Sequence, residues 1–169
     1  MANIVSVLGS TFWRICLLRL GPQDLPRSSA LLGLTVLVNL VLSLLINQRR
    51  LPLTESLILA GLEIAVLAGL TGVLLSAFSR AQRLVQTLSA LMGSGAMIGL
   101  VALVMLSVFP ALSNGPRIAI FVWNLLVIAH VLRHALEIQL FLAFLVAIGY
   151  AIILIQIVVA VGQMLPSAS

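Results

Sequence analysis

Four strongly polar side chains stand inside otherwise apolar stretches of this sequence, and they are the residues with the most scope for chemistry. They are Asn39, Glu63, Asn124 and Gln156. A carboxyl or amide group removed from water costs free energy unless it finds a partner. One interpretation is a cluster of hydrogen bonds that ties helices together. The other is a site around Glu63 that binds a proton, a cation or a polar substrate.

A second group of chemically capable residues comprises His130, His134 and Glu137, spaced at i, i+4 and i+7. This spacing places all three on one face of a helix, and two imidazoles with a carboxylate are typical zinc ligands. The sequence indicates no fourth ligand, and Arg133 adds a repelling charge. The alternative is a polar ring at the membrane surface. No Ser, Cys or Asp is placed beside them, so the sequence predicts neither a catalytic constellation nor a cofactor.

Small residues recur at four-residue spacing in two of the apolar stretches. Gly95 and Gly99 form a GxxxG motif, and Gly61, Ala65 and Gly69 form a second stripe. Such residues let helix backbones approach closely in a membrane. The stripes therefore serve either helix contacts inside the molecule or a seam for a homo-oligomer or a membrane-protein partner.

The composition of the chain indicates which kind of structural element carries these residues. The chain has 169 residues, of which 62% are hydrophobic and 8% are charged, and its mean hydropathy is +1.27. Soluble domains have about 45–50% apolar and about 25% charged residues. The composition excludes a soluble globular enzyme, a disordered chain and a disulfide-stapled secreted domain. The lipid bilayer is the expected environment.

The apolar stretches predict an all-α integral membrane bundle of five transmembrane helices, since about 20 apolar residues cross a bilayer as a helix. The predicted spans, within a domain covering residues 29–165, are residues 29–46, 56–78, 87–109, 118–134 and 140–163. A short tail follows at residues 166–169. The break before the last span contains no Gly or Pro. It is predicted from charge alone, because Arg133 and Glu137 are costly at the centre of a bilayer.

Residues 1–28 are predicted to form an interfacial amphipathic helix and a Pro-containing linker that precede the bundle. Arg14 and Arg19 argue against a sixth span. Ser6, Ser10 and Arg14 fall on one side of the helix, which favours a helix lying at the membrane surface. Gly21 and Pro22 end this helix, and Ser28 is a suitable N-cap for the first span.

The net charge of +5 arises from nine Arg residues, scattered singly or in pairs between the apolar runs. This scatter predicts membrane topology and no nucleic-acid partner. Six lie on one predicted side, namely Arg14, Arg19, Arg27, Arg80, Arg83 and Arg133, and three lie on the other, namely Arg49, Arg50 and Arg117. The positive-inside rule therefore predicts a cytoplasmic N-terminus and an external C-terminus.

With this topology the four isolated polar residues share one depth. Each lies seven or eight residues from a polar or charged residue at the outer end of its span, which is roughly 10–12 Å at 1.5 Å per residue. We therefore expect them to meet in one layer. A single polar layer weighs against a transport pathway, which needs polar groups at several depths.

Three regions carry a resemblance to a known family. They are Thr11-Phe12-Trp13-Arg14-Ile15, the linker at residues 21–26, and the region from Trp123-Asn124-Leu125 to Arg133-His134-Ala135-Leu136-Glu137. Together with five spans, they resemble the bacterial branch of the Yip family of Ypt/Rab-interacting membrane proteins. The resemblance implies an all-helical protein of the bacterial inner membrane with an interaction or membrane-organising role, and no catalytic residues.

The sequence thus favours a non-enzymatic protein that binds other membrane proteins or organises lipid. The alternative is a small transporter or channel-like component centred on Glu63. A third hypothesis, a membrane-embedded enzyme of metal or lipid chemistry using His130 and His134, would require bound metal.

Overall fold

The computed structural model describes residues 4–48, 51–108 and 114–164. These residues form one shorter helix followed by five long ones: α1 (Ile4–Cys16), α2 (Ser29–Asn47), α3 (Leu53–Ala77), α4 (Leu84–Val108), α5 (Asn114–Leu136) and α6 (Leu140–Met164). Single 3-10 turns lie at Pro22–Asp24 and Ala81–Arg83. The five long helices are long and apolar enough to cross a membrane. The predicted fold class is confirmed: the protein is an all-helical, multi-pass membrane protein.

The long helices begin and end within four residues of the predicted spans. The largest difference is at α5, which begins at Asn114 where residue 118 was predicted. The α3 and α4 helices each begin three residues early. Backbone hydrogen bonds do not require apolar side chains, so a helix can continue past the hydrocarbon into polar residues. Glu55 in the first turn of α3 also suits the positive end of the helix dipole.

The α4 helix lies at the centre of the bundle and packs against α1, α2, α3 and α5. All of residues 87–94 are buried. Small and hydroxyl residues in this stretch let the neighbouring helices approach closely. The hydroxyls of Thr87 and Ser94 donate to carbonyls one turn earlier, so they bury no unpaired polar atom. The hydroxyl of Ser89 has no hydrogen-bond partner among the described residues.

The α1 helix packs against α4 and α5. It buries Phe12, Ile15 and Cys16 and exposes its polar side, as its amphipathic pattern predicts. The indole Nε1 of Trp123 donates to the carbonyl of Cys16 at 2.9 Å. Trp123 lies about 20 Å along α5 from its C-terminal end. Thus α1 packs against the bundle and is not separate from it.

Three helices end with a non-glycine residue in the left-handed region. These residues are Leu18, Ser79 and Glu137, with φ of 60°, 56° and 57°. In each case the next backbone N–H donates to the carbonyl five residues earlier, as in Ile138 to Arg133, which is the Schellman ending. This conformation costs a non-glycine residue about 1–2 kcal/mol. At Glu137 this conformation is accompanied by ion pairs with Arg80 and Arg83.

The two ends of the bundle differ in charge. We call one the Arg-rich end, and it carries Arg19, Arg27, Arg80, Arg83 and Arg133 around the starts of α2, α4 and α6 and the ends of α3 and α5. At the opposite end, the described residues include one arginine, Arg117 near the start of α5.

Candidate functional site

A cleft of about 350 Å³ lies between α2, α3, α4, α5 and α6, towards the end opposite the Arg-rich end. Its polar lining residues are Asn39, Ser43, Glu63, Arg117, Asn124 and Tyr150. We call it the polar cleft. Three of the four predicted polar residues therefore border one space, and they come from three different helices.

Glu63 reaches the polar cleft from α3, where α3 packs against α2. Ser43 of α2 donates a hydrogen bond from its Oγ to Glu63 Oε2 at 3.3 Å. The other carboxyl oxygen makes no hydrogen bond to any part of the chain that the structure describes. One protein donor therefore leaves most of the acceptor capacity of this carboxyl group unused.

Asn39 reaches the polar cleft from α2 and binds α4. Its Nδ2 donates to the carbonyl of Met92 at 3.2 Å, so its Oδ1 is left to accept. This approach depends on Gly95, because a Cβ at that position would lie 3.1 Å from Asn39 Nδ2. Gly99 of α4 faces Ile46, which belongs to α2 as Asn39 does. The GxxxG motif of α4 therefore serves the contact with α2 inside this chain.

Asn124 and Gln156 have different environments. Asn124 is half-buried, lines the polar cleft and makes no hydrogen bond within residues 4–48, 51–108 and 114–164. Gln156 is exposed on α6 and does not line the cleft. It follows Tyr150 by six residues, which turns it about 240° around the helix. The expected four-residue layer therefore contains Tyr150 in place of Gln156.

Three lining residues were missed from the sequence: Ser43, Arg117 and Tyr150. Ser43 lies four residues after Asn39, and Arg117 lies seven before Asn124, so helical spacing could have identified both. Tyr150 gives no comparable signal. Its hydroxyl donates to the carbonyl of Leu67 at 3.1 Å and lies 3.4 Å from Thr71 Oγ1.

Charge is separated within the polar cleft. Glu63 and Arg117 both line it, yet they form no ion pair; the ion pairs among the described residues join Arg80 and Arg83 to Glu137. Phe121 and Tyr150 add aromatic rings to the lining. The cleft can therefore offer a carboxyl group, a guanidinium, amide oxygens and aromatic rings to a bound molecule.

The predicted metal group does not assemble. Within the described residues there is no set of three His, Cys, Asp or Glu side chains placed to hold a metal ion. The rings of His130 and His134 lie 4.6 Å apart, and His130 Nε2 donates to the carbonyl of Leu20 at 3.0 Å. The helix ends at Leu136, so the i+7 spacing no longer places Glu137 on the face of the two histidines.

Glu137 instead fastens the turn between α5 and α6 to the start of α4. Arg80 and Arg83 both donate to its carboxylate, and Arg83 also donates to the carbonyls of His134 and Ala135. The hydrogen bond from Arg83 is the main cause that holds the pKa of Glu137 below its ordinary value. This ionic contact explains why the chain turns there without Gly or Pro.

The small-residue stripe of α3 faces outward. Gly61, Ala65 and Gly69 are all exposed, and a Cβ at either glycine would meet nothing within 4 Å. No helix of the described chain covers this face.

Comparison of the chain with protein-family models, with curated proteins and with solved structures found no match.

Proposed function

We propose that this multi-pass membrane protein is non-enzymatic and binds a small, polar, ammonium-bearing solute in the polar cleft. The carrying observation is that Asn39, Glu63 and Asn124, from three helices, border one space of about 350 Å³ while the amide of Asn124 has no partner in the described structure. A cluster that served only to join helices would leave none of its amides without a partner.

The chemistry of the lining favours a positive charge near Glu63. Asn39 uses one of its two amide N–H groups on Met92, and its Oδ1 is left as an acceptor at the cleft. Aromatic faces such as those of Phe121 and Tyr150 attract organic cations. Arg117 in the same lining suits a carboxylate or phosphate. A zwitterion therefore satisfies the cleft better than a simple cation, and the volume is near the lower end of small-molecule sites, about 300 Å³.

The form of the cleft supports binding more than an open channel. Its lining includes Leu91 and Tyr150, and residues 87–94 of α4 are buried on all sides. Towards the Arg-rich end the interior beyond the cleft is closely packed, and the charged groups that line the cleft do not continue along this stretch of α4. The alternative of a small transporter would require these helices to move.

Thermal unfolding of the full chain in mild detergent tests the proposal, with methylammonium, choline and glycine betaine as probes. We expect glycine betaine to raise the unfolding temperature most. Glu63→Gln keeps an acceptor for Ser43 but should lose this stabilisation, whereas Gln156→Ala, outside the cleft, should retain it. If none of the probes stabilises the wild type, or if Glu63→Gln responds as the wild type does, the proposal is wrong.

Proteoliposomes containing a pH-sensitive dye distinguish the transporter alternative. A proton flux that depends on external pH, is lost in Glu63→Gln and is kept in Gln156→Ala would favour transport. Absence of flux in wild-type vesicles that still bind glycine betaine would favour binding alone.

A second candidate function is contact with another membrane protein or a second copy through α3. The observation that favours it is the exposed stripe of Gly61, Ala65 and Gly69, which permits close helix approach. Gly61→Leu and Gly69→Leu should reduce co-purification of a partner or cross-linking of copies in native membranes. Val159→Leu, at an exposed position on α6, is the control outside this face. Unchanged recovery in the glycine variants would argue against this face.

Three further proposals accompany this second candidate. They are a relationship to the Yip family, a location in the bacterial inner membrane and a cytoplasmic N-terminus. The order of elements supports the relationship: a short helix, a linker with Pro22 and Pro26, and five long helices. The arginine distribution supports the orientation. Accessibility labelling of single cysteines near each chain terminus should find them in opposite compartments, and labelling from the same side would contradict the orientation.

A further inference from the structure

A second pocket lies at the Arg-rich end, away from the polar cleft. It has a volume of about 140 Å³ and is bounded by the 3-10 turn after α1, the start of α4 and the end of α5. Its polar lining comes from Gln23, Arg27, Arg83, Gln86, Thr87 and His134. We call it the basic pocket, because no carboxylate lines it.

The protein holds Arg27 in a defined position at this pocket. Gln86 donates from its Nε2 to the carbonyl of Leu25 at 2.7 Å, which fixes its amide. The Oε1 of Gln86 then accepts from Arg27 Nε at 3.1 Å. Neither Nη group of Arg27 makes a hydrogen bond to the described residues. A guanidinium held through Nε in this way presents its remaining donors as a preformed fork.

The acidic side chains at this end are already engaged. Glu137 pairs with Arg80 and Arg83, and Asp24 accepts from the backbone N–H of Gly21 at 2.8 Å. Arg27 forms no ion pair with any described carboxylate. The positive charge of Arg27 is therefore left for an external anion, and His134 adds an imidazole to the same lining.

We propose that the basic pocket binds the phosphate group of an anionic lipid or of a soluble phosphate ester. Arg27 contributes a bidentate contact of the kind that recognises phosphate oxygens. The pocket lies among helix ends, where the headgroups of a bilayer would meet the bundle, and basic pockets between transmembrane helices bind such headgroups. Its 140 Å³ suits one phosphate group and falls below the roughly 300 Å³ of larger ligand sites.

Thermal unfolding of the full chain in mild detergent tests this site with phosphatidylglycerol, phosphatidylcholine and inorganic phosphate as probes. We expect phosphatidylglycerol to stabilise the wild type at lower concentration than phosphatidylcholine does. Arg27→Gln should weaken the apparent affinity about tenfold or more, the size of effect expected from losing a charge-assisted contact. Raised salt should weaken it too.

Arg133→Gln is the matched control, because Arg133 is exposed at the same end but does not line the pocket. It removes the same charge and should leave phosphatidylglycerol binding unchanged. Stabilisation by inorganic phosphate that also depends on Arg27 would support the site with a soluble anion as its ligand. Equal losses in Arg27→Gln and Arg133→Gln, or no response to any anionic probe, would overturn the proposal.

Discussion

The ring of Phe12 in α1 occupies the space that a β-carbon on Gly93 of α4 would need. Phe12 is 7% exposed, and Ile15 and Cys16 beside it are fully buried. The short helix α1 therefore packs closely against the central helix α4 because Gly93 has no side chain. This contact makes α1 part of the bundle and positions the linker that borders the basic pocket.

Gly93→Ala should lower the stability of the protein by about 1–3 kcal/mol, because the new methyl group would force the ring of Phe12 out of place. Thermal unfolding in mild detergent measures the loss. Gly72→Ala is the control, since a Cβ there meets nothing within 4 Å, and it should be neutral or slightly stabilising. Equal effects of the two substitutions would contradict the seating of Phe12.

Cys16 should react slowly with N-ethylmaleimide in the folded protein. Burial raises the pKa of its thiol from 9.0 to about 11, which lowers the thiolate fraction at pH 8 about 100-fold. The comparison is Ser10→Cys in a Cys16→Ser background, since Ser10 is exposed on the same helix. Mass spectrometry gives both rates. Similar rates at the two positions would show that α1 does not stay packed on α4.

Gly95→Leu should destabilise the single chain and not merely an oligomer. The larger side chain would displace Asn39 and break its hydrogen bond to Met92, at a cost of about 1–3 kcal/mol. Gly61→Leu, on the outward face of α3, should leave unfolding of the monomer unchanged. Cross-linking and thermal unfolding of both variants separate the two effects. A stable Gly95→Leu monomer would mean that α2 and α4 are not held together through this site.

Acidification should weaken the ion pairs by which Arg80 and Arg83 hold the turn between α5 and α6. The pKa of Glu137 is held below its ordinary value of 4.5, mainly by the hydrogen bond from Arg83. Its ion pairs therefore contribute stability above about pH 4.5, and this contribution is lost as the pH falls through the lowered pKa. Unfolding temperatures measured from about pH 5 down to about pH 3 should fall more for the wild type than for Glu137→Gln.

Arg133→Gln should keep the acid dependence of the wild type, because Arg133 is exposed and forms no ion pair with Glu137. High salt should reduce the difference between wild type and Glu137→Gln, since the pairs are partly exposed and therefore screened. Parallel acid curves for wild type and Glu137→Gln would contradict the assigned role of the ion pairs.

The sequence by itself determined the number of long helices, their approximate ends and the common level of Asn39, Glu63 and Asn124 along the bundle. These properties are local, because a helix satisfies its backbone hydrogen bonds within one segment and its length must match the bilayer. The same rise per residue that predicted a shared depth brought Asn39, Glu63 and Asn124 to one cleft. The sequence also predicted the break near Glu137 from charge, but it could not reveal the ion pairs with Arg80 and Arg83, which come from a distant segment.

The tertiary structure decided which way each helix faces. Gln156 lies outside the polar cleft and Tyr150 lies inside it, while Gly95 faces α2 and Gly61 faces outward. In a soluble protein the apolar face of a helix marks the core. In a bilayer the surrounding lipid is as apolar as the interior, so hydropathy does not distinguish the two faces. Only the mutual fit of the helices around α4 does.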